Sequence, residues 1–312
     1  MSLKLEQFIK FTTDSVGLER TFRLFQAIVQ ILSYFTIPFD LLLFTLNTTT
    51  GQIPSSSAVR IILKALNQRL GLARRFFRLF RFLESFNAAQ KLSAKLSSPE
   101  TWTGEHRGLL VKAEPWLDVF ARTFNGLYLL LEASTVVDAL AIPGLSILGP
   151  ELERTVAVEA QRFWLFSLVC GLAYNLLEIP LAVAVSMPPA QALPAADEKD
   201  ADERLASGHM TADEHAEFLG RIGKEREEKA RAWALQVAAS IRRLSRAAAA
   251  NAIDILLPGT VVGWIKAEPG TVGLAMFATT ILTGMEVWER CGREVAGVKA
   301  PYSGSYAIPR RP

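Results

Sequence analysis

The groups in this chain best placed to do chemistry are arginines. Arg74, Arg75, Arg78 and Arg81 recur at helical spacing inside Leu70 to Leu92, and on a helix Arg74, Arg78, Arg81 and Ser85 form one narrow stripe. From Arg60 to Lys95 nine basic residues stand against Glu84 alone. Guanidinium groups at this density bind phosphate, and the partner this composition predicts is an anionic surface. Opposite the stripe lie Leu72, Phe76, Leu79, Phe80, Leu83 and Phe86. Rings and aliphatic groups on one face and arginines on the other describe a helix lying in an anionic bilayer. The same periodicity also fits ordinary core packing, or a helix that docks in a partner's groove.

Other reactive constellations are missing from the pattern. No P-loop, dinucleotide fingerprint, nucleophile elbow or zinc-protease spacing occurs, so the reading contains no enzyme, no cofactor and no metal. His209 and His215 sit in a charged stretch at a spacing unlike a metal site, and His106 stands alone in a turn. Cys170 and Cys291 adjoin apolar runs and make no disulfide framework. Carboxylates beside apolar runs (Asp40, Asp138, Glu178 and Asp254) read as helix ends and boundaries. The first ten residues, MSLKLEQFIK, lack the apolar centre of a secretory signal.

The elements that would position these groups are helices throughout. Half the chain is hydrophobic and its mean hydropathy is +0.22, which points to membrane contact. The expected fold is all-α, a membrane-associated protein with amphipathic helices and about two transmembrane helices. Residues 1–97 form an amino-terminal amphipathic part, with a break near Asp14 and Gly17. Residues 98–190 form a middle helical part in which Glu114 to Ala141 is helical, with Pro115 in its first turn. That part carries the first candidate span, 163–187, with Glu178 as its one charge. Residues 191–231 are a charged loop. Residues 232–312 form the carboxyl-terminal part, with the second candidate span at 270–288. Gly259 and Gly263 make a GxxxG suited to close helix contact, and Trp264 and Trp288 bracket the second span as interfacial anchors do.

Three stretches resemble one family. Gly17-Leu-Glu-Arg20-Thr-Phe-Arg23-Leu-Phe-Gln26 is similar to the amino-terminal signature of the peroxin-11 family of peroxisomal membrane-elongation proteins. Ala73 to Glu84 resembles the family's arginine-rich amphipathic helix. Asp254-Ile-Leu-Leu-Pro258, Gly263-Trp264 and Gly270-Thr-Val-Gly273 resemble its carboxyl-terminal block. Phe80 stands where a small residue is common, and Thr279-Thr280 where a pair of serines is expected.

The resemblance implies an integral peroxisomal membrane protein that curves, elongates and tubulates the organelle before fission, setting organelle number and size. It also implies homo-oligomers, and contact with a dynamin-related GTPase and its tail-anchored adaptor; nucleic acid is not a partner. Six apolar side chains, each half buried, supply about 4–9 kcal/mol of membrane affinity. Four arginines at roughly 1 kcal/mol each add a smaller, salt-screened share. Two other readings stay open: an oligomeric solute channel lined by Glu178 and Asp254, and a scaffold that recruits fission factors without bending the bilayer.

Overall fold

The computed structural model describes residues 2–50, 55–97, 109–185 and 211–297. All regular structure among them is helical. His106, His209 and residues 191–210 of the predicted charged loop lie outside the described residues.

The chain opens with α1 (Leu3–Thr13) and α2 (Ser15–Tyr34). Asp14 separates them as a helix N-cap, its carboxylate accepting from the backbone N–H of Val16 at 2.9 Å and of Gly17 at 3.0 Å. Phe35 then breaks the chain into α3 (Thr36–Thr50), which leaves α2 at a 97° bend. Pro38 falls in the first turn of α3, where its missing N–H is not needed. The bend closes a small core of Val29, Phe39, Val59 and Leu63 between α2, α3 and α4 (Ser56–Arg78).

The arginine-rich stretch, expected as one helix, is two. α4 ends at Arg78 and α5 (Arg81–Leu96) begins after a single tight turn, marked by the bond from Leu79 N–H to the Phe76 carbonyl. No glycine or proline signals this break. Its consequence is geometric: α4 lies along α2 while α5 lies along α6 (Leu109–Ser134), a pairing that one straight helix cannot make. Because α6 starts at Leu109, Pro115 is inside the helix rather than in its first turn. The helix ends at Ser134, and a short α7 (Val136–Ala139) follows.

Asp138 organises the turn that comes next. Its carboxylate accepts from the Ser146 hydroxyl at 2.6 Å and from the N–H groups of Ile147 and Leu148 at 2.9 and 3.1 Å. The Ser146 hydroxyl, ahead of those backbone groups, holds the Asp138 carboxyl below the usual carboxylate range.

The helix α8 (Pro150–Val185) packs its first half on α6 through stacked rings, Tyr128 on Trp164 at 5.3 Å and Phe124 on Phe163 at 6.2 Å. Helix α9 (Ala212–Asp254) begins well inside the stretch expected as a charged loop, so the second half of that stretch is helical. After α9 come α10 (Leu256–Val262) and α11 (Pro269–Val295). Gly263 ends α10 with φ of +85°, the left-handed conformation that favours glycine. The Gly259–Gly263 pair is therefore a helix stop and not a helix-contact motif.

Among the described residues two helices are long and apolar enough to cross a membrane: Pro150–Val183, with mean hydropathy 1.6 over its best window, and Pro269–Val295, with 1.3. These are the two segments expected as spans. Glu178 is 2 % exposed and turned into protein. The bent pair α2 and α3 also passes the length and composition test as one broken segment.

The described residues fall into two compact units. One holds those up to Leu176 together with those from Arg246 onward; the other runs from Leu177 to Ser245. The larger unit carries all three family-like stretches.

Candidate functional site

The stretches that resembled one family in sequence meet in space, and arginines join them. Arg23 of α2 donates to the Asp254 carboxylate at the end of α9 and, at 3.1 Å, to the Thr279 hydroxyl of α11. Arg74 of α4 reaches back to α2, donating from Nε to Glu19 at 3.0 Å and from Nη1 to the Gln26 side-chain oxygen at 2.7 Å, with Nη2 in ion-pair contact with the same Glu19 oxygen at 2.9 Å. One turn on, Arg78 donates to the Tyr128 hydroxyl at 3.0 Å and to Glu132 at 2.7 Å, both on α6. Tyr128 donates onward to Glu132 at 3.2 Å.

Burial is deep. Glu19 is 1 % exposed, Arg23 3 % and Arg74 9 %. Burial pulls the Arg74 guanidinium down to about 10 while Glu19 holds it up, so it stays cationic at neutral pH. Burial pulls Arg78 down most, but the Glu132 carboxylate, Tyr128 and Glu19 together outweigh it and the net shift is upward. Burial pushes the Tyr128 phenol up to about 12, which keeps it protonated and able to donate.

This network corrects the expected role of the arginine stripe. Arg74 and Arg78 are not at the membrane surface; both point into the protein, because carboxylates on α2 and α6 await them there. Arg75 is partly exposed, 4.0 Å from Glu132, and Arg81 is half-buried. Ser85, on the same stripe, also faces inward and accepts from Asn125 at 2.9 Å.

The apolar face divides accordingly. Phe76, Phe80 and Leu83 are exposed by 48, 71 and 58 %. Leu72 and Leu79 are half-buried. Phe86 turns inward against α6, where a Cβ on Gly126 would stand 2.6 Å from its ring. It leaves the exposed set because the break after Arg78 resets the register of α5. From Arg74 to Leu83 the usual order of a water-soluble helix is inverted in part: Arg74 and Arg78 lie inside while Phe76, Phe80 and Leu83 lie outside.

The glycines of the amino- and carboxyl-terminal motifs set the spacing. A Cβ on Gly17 would fall 2.0 Å from the Phe11 carbonyl oxygen, so α1 and α2 approach closely only at glycine. Gly270 and Gly273 admit Tyr34 and Gln30 of α2 onto the face of α11 in the same way. Pro258 is buried within α10. Arg20 lies beside Glu19 at 3.5 Å.

A family model described as Peroxisomal biogenesis factor 11 (PEX11) matches residues 5–288, nearly the whole chain. The chain belongs to the peroxin-11 family. Membership gives it a part in peroxisome biogenesis and a place at the peroxisome, and its two apolar helices fit association with a membrane. No curated protein and no solved structure matches the chain. The family is one of biogenesis factors rather than a known enzyme family. Among the described residues no group of three or more His, Cys, Asp or Glu side chains is arranged to hold a metal ion.

Sequence reasoning named Arg23, Gln26, Arg74, Arg78 and Asp254 but not their pairing, and it missed Glu132 and Tyr128 as partners. The signal was present as a mismatch of charge: an arginine stripe with almost no local acid, while α2 carries the single acid Glu19 and the apolar second half of α6 the single acid Glu132.

Proposed function

We propose that the protein is integral to the peroxisomal membrane, held there by α8 and α11, and that it bends that membrane with the outward face of α4 and α5. Phe76, Phe80 and Leu83 enter one leaflet and expand it, so the bilayer curves toward the protein, and repeated insertion draws the organelle into a tubule before fission. The observation that carries this reading is the inversion itself: large rings stand exposed while the arginines beside them are buried on carboxylates. Exposed aromatic surface of this kind is costly in water and favourable in acyl chains.

The arginines then have a different task from the one their composition suggests. Arg74 and Arg78 fix the rotation of α4 about its axis, so that the rings have one direction to point. Arg75 and Arg81, which keep part of their surface, remain to meet lipid phosphate. Self-association and recruitment of a dynamin-related GTPase through a tail-anchored adaptor belong to the same reading and rest on family resemblance alone. The solute-channel alternative is less favoured, because Arg23 occupies the Asp254 carboxylate that would line its path.

The test is vesicle shape. Full-length protein in anionic liposomes is expected to draw tubules visible by electron microscopy, and the variant F76S/F80S/L83S to bind without deforming them. Equal tubulation by that variant would defeat the wedge mechanism.

A further inference from the structure

A groove of about 240 Å³ runs between α1, α2 and α11 in the larger unit, on the side away from α4. Its walls are mostly apolar, Phe11, Leu24, Ile281, Met285 and Trp288 among them; the hydroxyls of Thr21 and Thr280 are bonded to their own helices, and Arg20 is the one charged residue among the lining side chains. A cation bordering an apolar slot needs an explanation, since desolvating a guanidinium is costly unless it is well paired.

Arg20 is poorly paired. Among the described residues its one ion pair is with Glu19, at 3.5 Å, and Glu19 is already held by Arg74 at 2.9 and 3.0 Å. The Nε of Arg20 is buried and has no hydrogen-bond acceptor. The charges around it are Glu19 and Asp254 on one side and Arg23 and Arg81 on the other, and Arg23 already closes on Asp254. With Arg20 itself counted, three guanidinium groups stand against two carboxylates. The site carries an excess of positive charge next to a mostly apolar opening.

Depth fits as well. Gly284 lines the groove together with Arg20, and Trp288 is one turn further along α11. That separation is about 6 Å at ~1.5 Å per residue. If Trp288 marks the interface, Arg20 stands just below it, within reach of a phosphate whose acyl chain descends along Ile281 and Leu24.

We infer that this groove binds one anionic phospholipid drawn from the bilayer, its phosphate on Arg20 and one acyl chain against Leu24, Ile281 and Met285. The inference rests on the membrane placement proposed above, but not on bending. The lipid joins the amino-terminal helices to the carboxyl-terminal span, and so would be bound whether or not α4 and α5 deform the membrane.

The experiment is native mass spectrometry of the full chain, extracted in mild detergent from liposomes of phosphatidylcholine with phosphatidylserine. Wild type is expected to retain one phosphatidylserine per chain. R20Q removes the cation. G284L fills the slot while keeping it, and a Cβ at position 284 meets nothing within 4 Å, so this second variant is compatible with the fold. Each is expected to lower phosphatidylserine retention at least tenfold, with the far-ultraviolet circular dichroism of wild type. Equal retention by wild type and both variants would overturn the site, as would equal retention of phosphatidylcholine. Occupancy only by an added free fatty acid, with phosphatidylserine excluded, would also overturn it. Tubulation by the same preparations is scored separately, so failure of the wedge and failure of the lipid site are distinguishable.

Discussion

Replacing Arg74 separates two accounts of the arginine stripe by kind of effect as well as by size. If Arg74 met lipid phosphate, R74A would weaken membrane binding by roughly 1 kcal/mol and leave the fold alone. In the structure the same change strips Glu19, 1 % exposed, of its hydrogen bond and ion pair with Arg74 and leaves it only Arg20 at 3.5 Å. Removing one member of a buried pair costs about 3–5 kcal/mol, a large part of the ~5–15 kcal/mol that holds a typical protein folded. The remedy is equally specific. Because a buried pair exchanged for apolar residues is often neutral, E19L/R74L should recover most of what R74A loses, to within about 1 kcal/mol of wild type. Urea unfolding of the detergent-solubilised chain, followed by circular dichroism, measures both. An R74A protein that unfolds with wild type but binds anionic liposomes less well would refute the inward placement. A double variant as unstable as the single one would refute the pairing.

Further outcomes follow from the same geometry. G17A puts a Cβ 2.0 Å from the Phe11 carbonyl oxygen and should destabilise the chain by about 1–3 kcal/mol; an unchanged urea midpoint would show that α1 does not seat on α2 as described. Asp138 is held below its ordinary carboxyl range, so its contribution is fully present above that range and is lost as pH falls through the lower folded value. Amide exchange at Ile147 and Leu148 should therefore stay slow down to about pH 4, and become fast at neutral pH in D138A. Fast exchange in wild type at neutral pH would contradict the Asp138 bonds. The vesicle-shape and lipid-retention tests described above complete the set.

Much of the fold was legible because helices announce themselves. Asp14 ahead of Ser15 is a capping residue by type, and the two apolar spans are long and nearly free of charge. The orientation of α4 and α5 was not legible, and the reason is physical. Periodicity separates a polar face from an apolar one, but which face meets protein depends on the surrounding solvent. In water the rings go in; beside lipid, with Glu19 and Glu132 offered by neighbouring helices, the arginines do. The break at Leu79 and Phe80 was hidden for another reason: neither residue disfavours helix, and the bend exists because α4 and α5 have different partners. Gly263 misled in the opposite direction, since a glycine four residues after another suits a helix contact and a left-handed helix stop equally well.

The central claim is the direction in which α4 and α5 present their side chains, and it can be measured residue by residue. Cys170 and Cys291 are replaced by alanine, and spin labels are placed one at a time at positions 76, 80 and 83, and at 77 and 85, in full-length protein reconstituted into anionic bilayers. Phe77 tilts against Phe22 at a ring separation of 5.1 Å, and Ser85 faces Asn125, so labels at these sites are expected to be shielded from both oxygen and a water-soluble relaxant. Labels at 76, 80 and 83 are expected to relax strongly with oxygen and weakly with the aqueous reagent, as sites among acyl chains do. Contradiction would be the reverse: labels at 76, 80 and 83 shielded from both reagents or open to the aqueous one, with position 85 exposed at the membrane surface.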